Sequence, residues 1–257
     1  MKIITVINDK DNKYFNLLKL SCALNYHELI VLVSKESDFY SLRLKDKLLN
    51  EYLSEEDDNE LILFTDGTDT IFLASEDEIL EKYEKFGSDL VFSTDLGCWP
   101  DKKMAKLFDE DKNSPFIYLN SGGFIGKAGL IKELLNNCDF DDENYSYSNQ
   151  YVWSKCYLAN RDRIKLDTNC EIFCALNSDI GNEFINIDID IAYEVKKRWF
   201  ENNFLFESNR LLNKITNSYP CQIHFNGYSR AFLDDRIFDM VYASITDYKA
   251  TKFYYEE

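Results

Sequence analysis

Asp66 and Asp69 stand three residues apart in LILFTDGTDTIFL (61–73), where an apolar run gives way to a glycine and two threonines. Two carboxylates this close can grip one hard divalent cation, which takes oxygen ligands and often shares them with phosphates. Without a cation they would repel each other, and one pKa would rise. The same letters also make an ordinary turn, since Asp-Gly favours one and Asp66 could cap the next segment. The stretch alone leaves both readings open. Only two histidines exist, His27 and His224. His27 opens a predicted strand and reads as a surface or boundary residue. His224 lies in CQIHFNGYSR (221–230), just before the Asn226-Gly227 turn. A neutral imidazole there can join two carboxylates on a metal, and nitrogen added to oxygen suits manganese better than magnesium or calcium. The alternative is a satisfied, partly buried ring. Arg230 is a placed cation of the kind a diphosphate needs.

These residues need elements to carry them. KIITVIN (2–8), ELIVLVS (28–34), ELILFTD (60–66) and DLVFSTD (89–95) read as strands. Between them, 11–25 and 41–53 have helical spacing, and Ser75 with Glu78 forms a capping box ahead of Ile79, Leu80, Tyr83 and Phe86. This alternation predicts a mostly parallel sheet with helices on both faces. Ligands of such sheets bind beyond the C-terminal strand ends, where Asp66 would sit. Further on, FIYLNSGGFIG (116–126) has strand character broken by Gly122 and Gly123, and 127–138 and 147–160 look helical. After about residue 165 short strands are expected, among them EFINIDI (183–189) and CQIHFNG (221–227), with a helix over roughly 229–246. The runs EEDD (55–58) and FDDEN (140–144) read as solvated loops.

The 257 residues are 45% hydrophobic and 15% aromatic, enough for a sizeable core. No Pro/Gly-rich linker divides them, so one domain over 1–257 is expected. A net charge of -17 and a pI near 4.6 disfavour nucleic acid and anionic membrane surfaces as partners. The N-terminal apolar run is short for a secretory signal, and no run reaches a membrane span. Seven cysteines, an odd number set largely in apolar stretches, are expected as reduced core thiols, which points to a cytoplasmic location. Cys170 and Cys174 have CxxxC spacing, but with so few histidines a structural zinc site is not expected.

Several separated motifs fall into one order: FTDGTDTIF, FSTDLGCWP (92–100), YLNSGGFIG (118–126), NQYVWSKCYL (149–158), LDTNCEIFCALN (166–177) and IHFNG (223–227). Together they resemble the glycosyltransferase domain of procollagen lysyl hydroxylases, over about residues 2 to 245. The resemblance implies a GT-A fold, a Rossmann-like nucleotide-sugar domain, with a UDP-sugar donor and Mn2+, and with a nucleotide-binding half (1–95) and an acceptor-binding half (96–257). It implies a metal held by a DxxD pair and a late histidine, here Asp66, Asp69 and His224. The hydroxylase activity of those proteins is not expected from this chain.

Other positions carry over singly. Val6 and Asn8 match the place that holds uracil and ribose. Asn226 and Gly227 belong to the late motif, where glycine lets the backbone approach the diphosphate, and Arg230 stands where the family has a basic residue near the phosphates. Trp99, in the CWP motif, can present its face to a sugar or be a core residue. Asp95 is the candidate carboxylate near the transferred sugar. Asn120 and Gly122-Gly123 would shape the floor beside the acceptor. Two departures stand out. Thr68 replaces an aromatic between the aspartates, so stacking on the nucleotide is lost there. The acidic run ending in DDQ reads YSYSNQ (145–150) here: Gln150 is kept, while Ser148 and Asn149 replace aspartates. Asn149, Gln150, Asp95 and Trp99 are the catalytic candidates, although an amide is neither a carboxylate base nor an ordinary nucleophile. The implied reaction moves glucose from UDP-glucose to galactosyl-hydroxylysine of a collagen-like acceptor, with retention. A UDP-galactose-dependent hydroxylysine galactosyltransferase and a non-catalytic UDP-sugar or collagen-binding module are the alternatives.

Overall fold

The computed structural model describes residues 1–34, 41–109, 113–138, 144–180 and 182–234. Its first half follows the alternation. Strand β1 (Lys2–Ile7) leads to helix α1 (Lys13–Leu24), β2 (Leu29–Val33), α2 (Arg43–Leu53), β3 (Leu61–Asp66), a short β4 (Thr70–Phe72), α3 (Glu76–Phe86) and β5 (Leu90–Asp95). The Ser75 hydroxyl caps α3 by accepting the Glu78 N–H at 3.4 Å. The Glu78 carboxylate does not complete the box; it turns to Lys82 and Arg210.

The second half supplies β6 (Tyr118–Lys127), α4 (Ala128–Asn137), α5 (Asn149–Ala159), β7 (Ile164–Leu166), β8 (Phe173–Ala175), α6 (Ile189–Asn203), β9 (Phe204–Glu207), β10 (Arg210–Asn213) and β11 (Gln222–His224). The main sheet runs β2-β1-β3-β6-β5-β7. Its neighbouring strands are parallel except around β6, which is antiparallel to both β3 and β5. The inserted strand brings its own start to the edge where β3 and β5 end, so Asp66, Asp95 and Asn120 share one rim. Strand β6 is continuous through Gly122 and Gly123. The break expected there appears in the pairing with β5, whose register shifts between Phe92 and Ser93. Beneath it, Phe64, Phe92, Phe124 and Trp153 stack into the centre of the core.

A second sheet, β4-β11-β8, lies at the same rim. The antiparallel pairing of β4 and β11 sets His224 opposite Thr70, next to Asp69. Three expectations are corrected. Residues 183–189 are not a strand: 182–184 form a 3-10 turn, and Asp188 then caps α6 by accepting the N–H groups of Asp190 and Ile191. The alternation of Ile185, Ile187, Ile189 and Ile191 imitates a strand, but the helix buries Ala192, Lys196 and Phe200 at helical spacing, and Ile187, Ile189 and Ile191 stay exposed. Over 227–234 the chain forms a 3-10 segment where a helix was expected, and 235–246 falls outside the described residues. His27 is buried rather than superficial, with Nε2 at 2.8 Å from the Ala74 carbonyl and its ring edge-on to Phe72. Burial lowers its pKa.

Within the EEDD run Glu56 pairs with Lys2, while Glu55, Asp57 and Asp58 are exposed. Most of FDDEN, including Asp141, Asp142 and Glu143, lies outside the described residues. All seven cysteines are free, Cys170 and Cys174 included. No helix among the described residues is long and apolar enough to cross a membrane.

Candidate functional site

A cleft of about 500 Å³ opens at the rim where the two sheets meet. One wall is the bend between β3 and β4. Gly67 sits tightly against β1 there: a Cβ would meet Ile7 Cγ2 at 2.4 Å and Thr5 Oγ1 at 2.9 Å. Glycine is thus required by crowding, beyond any turn preference. Asp66 ends β3 and Asp69 precedes β4. Because the Phe225 N–H donates to the Asp69 carbonyl at 2.7 Å, β11 is pinned beside the loop.

The Asp66, Asp69 and His224 side chains therefore converge, with candidate ligand atoms all within 4.8 Å of one another. His224 Nε2 lies 3.6 Å from Asp66 Oδ2 and 3.4 Å from Asp69 Oδ1. That nitrogen is buried without a hydrogen-bond partner. A buried ring nitrogen without a hydrogen-bond partner, set between two carboxylates to give a mixed nitrogen and oxygen donor set, fits a divalent cation of the manganese type. Burial alone would lower the His224 pKa, but Asp69 and Asp66 more than offset it and raise it. Burial would likewise raise Asp69, yet the His224 ring, Arg230 and Lys45 hold its carboxyl below the usual range.

Two cations flank the carboxylates. The Lys45 ammonium, from the first turn of α2, is 2.5 Å from Asp66 Oδ1. Arg230 is 3.9 Å from Asp69 Oδ2, donates to the Thr68 carbonyl at 3.2 Å and to the Thr68 hydroxyl, and rests over the Tyr14 ring. Thr68, in the aromatic's place, thus anchors a guanidinium. Sequence reasoning missed Lys45. Its signal was the need of so acidic a chain for placed cations, but the polar face of α2 offers several candidates and only packing selects one.

The remaining predicted residues line the same cleft: Val6, Asn8, Asp95, Trp99, Asn120, Gly122, Asn149, Gln150, Asn226 and Gly227. Gly227 has a φ of +58°, a left-handed backbone that suits glycine. Asp95 is buried and already bonded: Oδ1 accepts the Leu96 N–H at 2.8 Å, and Oδ2 accepts the amide groups of Asn226 at 2.6 Å and Asn120 at 3.2 Å. Burial raises its pKa, opposed by these donors. Trp99 is 46% exposed, at the lip, and meets Tyr147 edge-to-face; it is no core tryptophan. Gln150 ties the lip down, since its Nε2 donates to the Trp99 carbonyl at 3.2 Å and its Oε1 accepts the Ser121 N–H. Ser148 caps α5 by accepting the Tyr151 N–H at 3.2 Å, and the Asn149 side-chain Oδ1 accepts the Ser121 hydroxyl at 3.3 Å. Asn177 and Ser121 also line the cleft, and residue type alone does not single them out.

A family model described as the PLOD GT domain matches residues 40–237, most of the chain and nearly all of this site. The chain belongs to the PLOD GT domain family. It is a glycosyltransferase of that type, with a GT-A-like fold. Similar proteins include an uncharacterized protein of Acanthamoeba polyphaga mimivirus, 32% identical over 184 residues, which cover 69% of this chain and 33% of that one. Procollagen-lysine,2-oxoglutarate 5-dioxygenase 2 of Mus musculus is 30% identical over 202 residues, covering 75% of this chain and 24% of that one. The multifunctional procollagen lysine hydroxylase and glycosyltransferase of Rattus norvegicus is 32% identical over 151 residues, covering 57% and 20%. This PLOD GT chain thus aligns with between about a fifth and a third of the length of these relatives. In fold it is similar to the crystal structure of a glycosyltransferase involved in the glycosylation of the major capsid of PBCV-1, with a TM-score of 0.50 at 12% identity, covering 91% of this chain and 96% of that one.

Proposed function

We propose that this PLOD GT domain is a Mn2+-dependent retaining glucosyltransferase, moving glucose from UDP-glucose to galactosyl-hydroxylysine of a collagen-like protein. The observation that carries the metal part is the orphaned His224 Nε2 beside Asp66 and Asp69 in the wall of the cleft. These three residues would hold the ion, which when bound supplies positive charge to a diphosphate leaving group. The chain's own residues do the rest. Lys45, paired with Asp66, and Arg230, anchored on Thr68, place positive charge beside the carboxylates, where it would stabilise the charge that grows on the phosphates. Val6 and Asn8 stand at the end of β1, where the uridine would lie. Trp99 and Tyr147 offer aromatic surface at the lip for a sugar.

Among the described residues of the cleft, no carboxylate outside the metal set stands free to act as nucleophile. The Asp95 oxygens are held by three donors, and position 149 is an amide. This favours same-face attack, in which a donor phosphate oxygen takes the acceptor proton, over a covalent intermediate. The test is a donor screen with a galactosyl-hydroxylysine peptide, with and without Mn2+. Turnover is expected with UDP-glucose and Mn2+ and is expected to vanish with chelator. A preference for UDP-galactose with unmodified hydroxylysine would establish the galactosyltransferase instead.

A further inference from the structure

A histidine can offer Nε2 to a metal only when its remaining proton is on Nδ1. Free imidazole side chains in water prefer the opposite tautomer, so a site that needs a bare Nε2 must impose it. The cleft contains the device. The Gly122 main-chain N–H, which can only donate, points at Asn120 Oδ1 at 2.9 Å, so that atom is the amide oxygen. The Asn120 amide nitrogen then faces Asp95 Oδ2 at 3.2 Å. A flipped amide would set donor against donor at one end and oxygen against carboxylate at the other. Asp95 is itself fixed. Its Oδ1 takes the Leu96 N–H at 2.8 Å, and its Oδ2 takes Asn226 Nδ2 at 2.6 Å. The Asn226 oxygen in turn accepts the Asn177 main-chain N–H at 3.0 Å. Backbone amides thus decide the donor and acceptor sense along the whole run.

At the metal end of this run, the Asn120 oxygen lies 3.1 Å from His224 Nδ1. An acceptor there demands a donor. We propose that Asn120, oriented by Asp95 and the Gly122 main chain, is a positioning residue that locks His224 in the Nδ1–H tautomer and so aims a bare Nε2 at a divalent cation held by Asp66 and Asp69. Gly122 is part of the same device. The imidazole lies directly on it, and a Cβ at that position would fall 2.1 Å from His224 Cε1. The lock gives Asp95 and Asn120 a task on the metal side of the cleft, beyond shaping the sugar and acceptor floor. Partners of this kind around a metal-ligating histidine are worth roughly 10–100-fold in metal affinity.

The lock rests on the proposed metal site, and two measurements separate them. The first reads the tautomer without any metal. The chain has only two histidines, so labelling their ring nitrogens with a heavy isotope gives two imidazole patterns in a long-range nitrogen–proton correlation spectrum. His27 is an internal reference: its Nε2 faces the Ala74 carbonyl at 2.8 Å and must carry the proton. His224 Nδ1, which faces the Asn120 oxygen, is expected to carry a proton, whereas His27 Nδ1 is expected to be bare. A bare His224 Nδ1 would overturn the lock. The second measurement is Mn2+ affinity by calorimetry. Asn120→Ala is expected to mix the His224 tautomers and weaken Mn2+ by about 10–100-fold. A variant that keeps both the wild-type tautomer and the wild-type affinity would also overturn it. Wild-type protein with the expected tautomer but no Mn2+ binding would sink the metal site, and with it the purpose of the lock.

Discussion

Two aspartates, one half-buried in the cleft and one buried behind its wall, show how differently this fold treats charge. Asp69, on the β3–β4 wall, is half-buried beside His224, Arg230 and Lys45, whose charges hold its carboxyl below the usual range. Asp46, a residue of α2, is buried behind the other wall, where α2 meets α5. It holds the Trp153 indole N–H at 3.0 Å and is 3.3 Å from Arg43, yet burial pushes its pKa up to about 6. One wall concentrates compensating charge at the surface of a cavity, as a site for a dication and a diphosphate requires. The other uses a carboxylate as a packing piece and presents amides, Asn149 and Gln150, to the cleft. The wall with the charges is where chemistry is expected; the departures from the pattern the resemblance implies fall on both walls, Thr68 on the charged one and Ser148 and Asn149 on the other.

The largest expected effect belongs to the charged wall. Asp69→Ala should lower turnover of UDP-sugar by at least about 10²–10³-fold, the scale of losing a principal electrostatic stabiliser. It should also remove Mn2+ binding while the far-ultraviolet circular dichroism stays unchanged. Retained activity would dissolve the contrast between the walls.

A middle-sized effect tests Asp46 through stability. Its folded pKa, about 6, lies above the ordinary 3.8, so its contribution to stability is fully present below 3.8 and is lost as pH rises through 6. Thermal unfolding of Asp46→Asn against wild type should therefore show the variant gaining roughly 1–3 kcal/mol relative to wild type as pH rises across that window. Parallel curves would mean that Arg43 and Trp153 compensate Asp46 as fully as the cations compensate Asp69.

The smallest expected effect sharpens the amide wall. Asn149→Asp installs the carboxylate that the family resemblance implies, yet glycosyl transfer should change by less than about threefold, because that side chain serves as a hydrogen-bonding piece against Ser121. A gain nearing ~10²-fold, the usual worth of a general base, would show that the amide had cost this enzyme its base.

Much of the first half is legible in the sequence, because its longer strands and its helices carry their own periodicity, and Asn12 and Ser75 cap α1 and α3. Three features are not. The strand holding NSGGFIG reads as interrupted, since the glycines weaken local strand character, while its place between β3 and β5 depends on long-range pairing. The start of helix α6 reads as a strand because isoleucines alternate into it, and what selects the helix is burial of Phe200 and Lys196 by elements far along the chain. His27 reads as superficial because nothing nearby in sequence announces Ala74 and Phe72.

The site divides the same way. Residue types and motif order by themselves determined which side chains were available: a carboxylate pair, one late histidine, a basic residue, and amides where acids were expected. Those are properties of covalent structure and survive any fold. Tertiary structure alone decided that His224 meets Asp69 through the β4–β11 register, that Lys45 reaches Asp66, and that Asn120 faces both Asp95 and Nδ1 of the imidazole. The physical reason is that hydrogen bonds and ion pairs act over a few ångströms, so their partners exist only once distant segments have packed.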